Sequence, residues 1–298
     1  MAQPILVTGA AGGAQGSTGR RITALLLNKG IPVRAFVHKL DARSDALREL
    51  GAEVVQGDLL DRDSVRASFK GIKRAYFTYS VSDGLLEATT IFAMAAREAE
   101  TELVVNNSQI QGARKAPSFR NMQHGLADSI FDWAEVGAVH LHAPPYFDNV
   151  RALVRKSVAE QSTVFLPWGD GSATIPLVGA EDVSHVAATL LANSETPSES
   201  AYDLIAATPT VREIVDTLSA VLQRPIRYVD ITDEQWADAA RGHLNPHALD
   251  HLSHLWRYFR TSGKRSDEAR SVTDTIRTVT GSHAQTLEDF FRINAAEF

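Results

Sequence analysis

Residues 4–20 read Pro-Ile-Leu-Val-Thr-Gly-Ala-Ala-Gly-Gly-Ala-Gln-Gly-Ser-Thr-Gly-Arg. The apolar run predicts a strand over residues 4–8, glycines crowd the loop behind it, and residues 20–28 (RRITALLLN) carry helical spacing. Strand, glycine-rich loop and helix in this order open a dinucleotide-binding βαβ unit. Glycine tolerates the positive φ of a tight turn and leaves backbone N–H groups open to a pyrophosphate. The start of the following helix adds a positive dipole end. Gly9, Gly12 and Gly16 form GxxGxxxG, one residue longer than GxxGxxG, while Gly13, Gly16 and Gly19 fit GxxGxxG slightly later. The alternative is a glycine-rich turn in a Rossmann domain that binds no nucleotide.

Further apolar runs at residues 32–37, 53–56, 74–78, 103–107 and 138–142 predict more strands, with a helical pattern at 88–98. Their spacing of roughly 20 to 35 residues leaves one crossover helix per pair, as a right-handed parallel sheet requires. The expected fold class is α/β, a Rossmann-type doubly wound parallel sheet with a smaller C-terminal α/β lobe. Residues 1–143 are expected to form an NADP(H)-binding domain. Residues 144–298 are expected to form mainly a substrate-binding lobe, partly interleaved with the sheet. Their helical patterns lie at 182–192, 211–222, 233–240, 246–258 and 287–296, with short strands at 202–206 and 226–231.

Composition narrows the function. The chain has 298 residues, 44% hydrophobic and 22% charged, enough apolar material for a sizeable core. Lys and Arg total 30 against 36 for Asp and Glu, and the basic residues are scattered, so nucleic acid is not an expected ligand. The absence of cysteine excludes thiolate chemistry, disulfides and cysteine-held metals. No apolar run approaches the roughly 20 residues needed to span a bilayer, and the first residues lack a signal-peptide pattern, so a cytoplasmic protein is expected.

The second strand ends in His38 and Lys39, with Arg43 close behind, where an NAD-preferring Rossmann protein carries a carboxylate. A cationic cluster neutralises a 2′-phosphate, which points to NADP(H), although Asp41 interrupts it. Asp58, after the third strand, borders the expected adenine position; it could equally cap the helix starting near Asp61 or Asp63.

Together, VTGAAGGAQGSTGR, VRAFVHKLDARSDAL, GAEVVQGDLLD, RYVDITDEQWADAA and TGSHAQTLEDFFRINAAEF resemble the NmrA-like branch of the atypical short-chain dehydrogenases/reductases. The resemblance implies NADP(H) in a cleft between a Rossmann domain and a small C-terminal lobe. It also implies one of two functions. One is a reductase of quinones and conjugated carbonyls, with aromatic polyketide tailoring among its settings; the other is a non-enzymatic NADP(H) sensor that binds a partner. By family position Gly9, Gly13, Gln15 and Gly16 contact pyrophosphate, and His38, Lys39 and Arg43 the 2′-phosphate. Asp58 and Leu59 border the adenine, and Tyr79 and Ser80 the ribose and nicotinamide.

A short-chain dehydrogenase ordinarily uses Tyr-x-x-x-Lys, because the ammonium lowers the phenol pKa. None of the 6 tyrosines has a lysine four residues on. Ser108 and Gln109 end the fifth expected strand where the family's catalytic serine stands, and His124 lies near the place of its lysine. Ser108 and His124 are therefore the candidate catalytic residues, His124 as a proton donor near neutral pH. The alternative makes Ser108 a strand-end turn residue and His124 an exposed helix residue. Gln109, Tyr146, Phe147 and Trp168 are candidate substrate contacts, with Tyr146 and Phe147 as an aromatic wall; packing between lobes is the alternative. His243, His247, His251 and His254 recur at helical steps, but without a supporting carboxylate motif no metal site is expected. A homo-oligomer or a partner enzyme is compatible with all of this.

Overall fold

The computed structural model describes residues 3–13, 17–110, 116–262 and 271–298. Its main sheet has seven strands in the order β3-β2-β1-β4-β5-β6-β8. They are β1 (Ile5–Val7), β2 (Val33–Val37), β3 (Glu53–Gln56), β4 (Arg74–Phe77), β5 (Leu103–Gln109), β6 (Ala138–Ala143) and β8 (Ala201–Asp203). Every pairing is parallel, with Ile5 opposite both Val33 and Arg74, and Ser108 opposite His142.

Alternation along each strand divides the core. Ile5 and Val7 join Ile22 and Leu26 of α1 (Thr18–Asn28) and Val183 and Ala187 of α7 (Ala180–Ala192) on one face. Leu6 points to the other face, among Val65 of α3 (Arg62–Ser68), Phe92 of α4 (Leu85–Glu98) and Phe131 of α5 (Phe119–Ala134). Both faces are covered, which explains why the strands read as continuous apolar runs.

Residues from the C-terminal half complete this sheet: α7 covers one face, and β8 pairs with β6 at the edge. Helix α11 (Thr275–Thr280) packs Ile276 into the same face, and other elements of this half build a second core. These are α6 (Phe147–Gln161), β7 (Thr163–Leu166), α8 (Val211–Leu222), β9 (Arg227–Asp230), α9 (Asp233–Ala240), α10 (Pro246–Ser262) and α12 (Leu287–Ile293). Strands β7 and β9 form a separate parallel pair. The start of α8 is fixed by a capping box, Thr210 accepting from Glu213 N while the Glu213 carboxylate accepts from Thr210 N.

Neither α6 nor β7 was anticipated. Pro144 and Pro145 disguised the helix start, because proline is tolerated just ahead of a helix. The strand order reverses at β1, between β2 and β4, and this switch point opens a crevice at the carboxyl ends of the strands.

Candidate functional site

Beyond β1 the chain turns through Gly9 (φ +63°) and Gly12 (φ +74°), left-handed conformations that favour glycine. Gly19, inside α1, does a different job: a Cβ there would lie 2.3 Å from the Thr8 carbonyl oxygen, so only glycine lets the helix pack this closely on the turn. The packing glycine is therefore ten positions after Gly9, against six in GxxGxxG, and the loop is longer than the single extra residue expected from the sequence. Gly13 exchanges bonds with the Ser17 side chain and lies outside the cleft lining. Gln15 and Gly16 lie outside the described residues. Among the described residues helix α1 has no side-chain cap and no acidic residue in its first turn, which leaves its positive end for an anion.

Gly9, Gly12, His38, Lys39, Arg43, Asp58, Leu59, Tyr79 and Ser80 line one cleft over the switch point. Its bare glycine backbone, uncapped helix start and cationic rim fit a dinucleotide phosphate. The Arg43 guanidinium forks onto Asp41 and also donates to the Gly12 carbonyl at 3.3 Å. Asp41 is thus the partner that orients Arg43, and it caps α2 (Ala42–Glu49) by accepting from Arg43 N. Asp61 caps α3, whereas Asp58 closes its own turn by accepting from Leu60 N at 2.9 Å. His38 Nδ1 stands 3.8 Å from the Asp58 carboxylate.

Tyr79 lines this cleft and also a second cavity, with Asn107, Ser108, Gln109, His124, Tyr146 and His251 among the latter's walls. Residues 80–83 between them are held from two sides. Arg120 donates to the carbonyls of Ser80 (2.5 Å) and Ser82 (3.0 Å). From the second core, Asn245 donates to Val81 O and His247 pairs with Asp83 at 2.8 Å.

Ser108 is a residue of β5, 2% exposed, and its Oγ is buried with no hydrogen-bond partner among the described residues. It is no strand-end turn. Tyr146 Oη exchanges hydrogen bonds with the Asn107 side chain, and burial pushes its pKa up to about 12. Gln109 Oε1 accepts from Asn121 at 2.8 Å.

His124 is 5% exposed, in the second turn of α5. Burial first, then the Arg120 charge, holds its pKa well below the usual histidine value. This corrects the expectation of a proton donor near neutral pH, because the ring is neutral there and can offer only an ordinary N–H. His251 shares that environment: it meets Ser118 Oγ at 2.7 Å and is pushed down to about 4 by burial and Arg120. His142 goes the other way. Burial works against its charge, but hydrogen bonds to Asp128 and Asp203 outweigh it and raise the pKa to about 9.

Two expected substrate contacts are not in the cavity wall. Phe147 is fully buried against Phe290 (ring centroids 5.5 Å apart), and Trp168 is packed on Trp256 at 5.1 Å. Each fills the second core, and Trp256, with Leu252 and Leu255 beside it on α10, lines the cavity instead. The histidines of α10 do not converge: His247 pairs with Asp83, His251 with Ser118 and His254 with Asp250. Among the described residues no group of three or more side chains could hold a metal ion, and no helix is long and apolar enough to cross a membrane. Sequence reasoning missed Arg120, Asn121 and Trp256. An arginine in the first turn of a helix, just after Ser118 and Phe119, carries no local signal, and its burial emerges only from packing.

Residues 13–143 match the NAD(P)H-binding family model. The chain is 25% identical to an NAD(P)H azoreductase of Xenophilus azovorans, over 96% of this chain and 97% of that protein. An NADPH-dependent quinone oxidoreductase of Escherichia coli, solved in complex with NADPH, superposes with a TM-score of 0.82. It shares 18% identity over 98% of this chain and 99% of its own. NmrA, a negative transcriptional regulator solved with NADP, superposes at 0.78 with 16% identity, over 98% and 95%. Across its whole length the chain therefore shares its fold with NmrA and with the quinone oxidoreductase, and the segment that matches the NAD(P)H-binding family model contains strands β2 to β6 of the main sheet.

Proposed function

We propose that the protein is an NADPH-dependent reductase that delivers hydride to a small planar conjugated carbonyl or quinone. The carrying observation is the junction at Tyr79, where the glycine-lined cleft meets a cavity walled by apolar side chains and a few convergent polar ones. NADP(H) bound in the cleft supplies the hydride and its two electrons. His38, Lys39 and Arg43 bind the 2′-phosphate, and the loop from Gly9 to α1 binds the pyrophosphate.

In the cavity, Ser108 Oγ donates a hydrogen bond to the substrate oxygen as that oxygen gains charge. Tyr146, protonated at all ordinary pH, and the neutral His124 donate without ionising. A quinone spreads the charge over its ring, so the strong acid of a Tyr-x-x-x-Lys pair is dispensable here. The second core, built from residues 144–298 apart from α7, β8 and α11, acts as the substrate lobe, with Leu252, Leu255 and Trp256 excluding water from the reacting atoms. The names of the azoreductase and quinone oxidoreductase relatives support a flat, electron-poor acceptor.

The test is stopped-flow oxidation of bound, 4-deuterated NADPH with a panel of quinones and enones, the enones reporting deuterium held on carbon. Substrate-dependent oxidation with deuterium recovered in product is expected. If no acceptor takes deuterium, and a protein partner instead binds according to the NADPH/NADP ratio, the sensor reading replaces this one.

A further inference from the structure

Arg120 stands in the first turn of α5, 5% exposed. Its Nη atoms donate to the carbonyls of Ser80 and Ser82, its Nε is buried without a partner, and among the described residues it makes no ion pair. Two neutral carbonyls compensate a buried guanidinium only in part. Burial accordingly pushes its pKa down to about 10, which leaves it charged at neutral pH.

The next residue, Asn121, lines the second cavity, and so does His124 one turn further along α5. Among the described residues the cavity walls contain no Asp, Glu, Lys or Arg. The titratable walls are Tyr79, Tyr146, His124 and His251, all neutral at pH 7. Arg120 is not itself a wall residue, but it holds the carbonyls on either side of the wall residue Val81, and its charge reaches two further wall residues, lowering the pKa of His124 and His251; His142, charged and paired with Asp128 and Asp203, adds to it at His124.

We propose that Arg120 is the electrostatic positioning residue of this cavity: its field stabilises negative charge developing on a substrate oxygen beside Ser108, and the cavity admits ligands that enter uncharged and become oxyanions. The proposal rests on the reductase reading and deepens it. In the reaction, the hydride electron pair forms a new C–H bond on the electrophilic carbon, and the π pair of the conjugated system moves onto the carbonyl oxygen. That oxygen takes a proton from water afterwards, and NADPH is the two-electron reductant. A cationic end would be repelled by Arg120.

The experiment uses 4-nitrophenol, whose ionised form absorbs visible light, bound to the full chain without cofactor. Arg120→Gln keeps donors for Ser80 and Ser82 but removes the charge. The expected result is a bound-probe pKa below that of free 4-nitrophenol in the parent, about one unit higher in Arg120→Gln, and restored in Arg120→Lys. With a neutral quinone, Arg120→Gln should lower kcat about tenfold and leave KM nearly unchanged. Equal probe ionisation in parent and Arg120→Gln, both folded by circular dichroism, overturns the proposal; so does failure of the parent to bind the phenolate. Should Arg120→Gln not fold, Arg120→Lys must still depress the probe pKa as the parent does, or the idea fails. The probe requires no hydride transfer, so a failed reductase reading shows up separately, as an absence of deuterium transfer.

Discussion

Acidifying a solution of this protein from about pH 7.5 to about pH 5 should cost the fold about 2 kcal/mol at His251 alone. Burial, and then the charge of Arg120, push this ring down to about 4, while the unfolded chain restores it to the ordinary 6.5. At about pH 5 the unfolded ring is almost wholly protonated and the folded one mostly neutral, so protonation favours the unfolded state by about 30-fold, or about 2 kcal/mol. For a depressed histidine the unfolded state binds more protons, so stability falls as pH drops below 6.5 and the loss levels off near 4. His124, shifted in the same direction, steepens the slope. The assay is urea denaturation at both pH values for the parent and for His251→Asn, which cannot titrate. Differencing across pH cancels whatever the substitution costs through the lost Ser118 contact. A pH-dependent loss in His251→Asn within about 0.5 kcal/mol of the parent's would refute the reasoning, because the ring would then titrate alike in both states.

Other expectations follow from the same geometry. Arg43→Ala should weaken NADPH about five- to tenfold and NADH much less, measured by calorimetry; an equal loss for both cofactors would remove Arg43 from the 2′-phosphate site. Gly19→Ala should cost about 1 to 3 kcal/mol in thermal or urea unfolding, because its Cβ meets the Thr8 carbonyl oxygen at 2.3 Å and both belong to backbone that cannot rotate aside. Ser108→Ala should lower kcat/KM for a quinone by tenfold or more, and leave stability unchanged or raised by up to about 1 kcal/mol, since the hydroxyl has no partner to lose among the described residues. A destabilised Ser108→Ala with full activity would make the residue structural.

The nucleotide half was legible because its constraints are local. Apolar runs of strand length, a helix pattern and the glycines between them set β1, the loop and α1 within a few residues of chain, and the strand ends at residues 37 and 56 followed from length and turn signals. Even there, the role of Gly19 stayed hidden, because what it must avoid is a carbonyl eleven residues earlier, and the spacing of glycines alone could not choose the packing one. The substrate half was less legible for a related reason. An aromatic residue at a strand end serves equally well as core or as pocket wall, and the choice depends on what another element brings to it. Phe290 covers Phe147 and Trp256 covers Trp168, which moves both expected contacts inward and gives Trp256 the wall position. His124 shows the same dependence in its chemistry. Its residue type suggested an acid, but a proton on the ring would be buried next to Arg120, so the fold converts a titrating group into a neutral donor and leaves the fixed charge beside the cavity one turn away on the same helix.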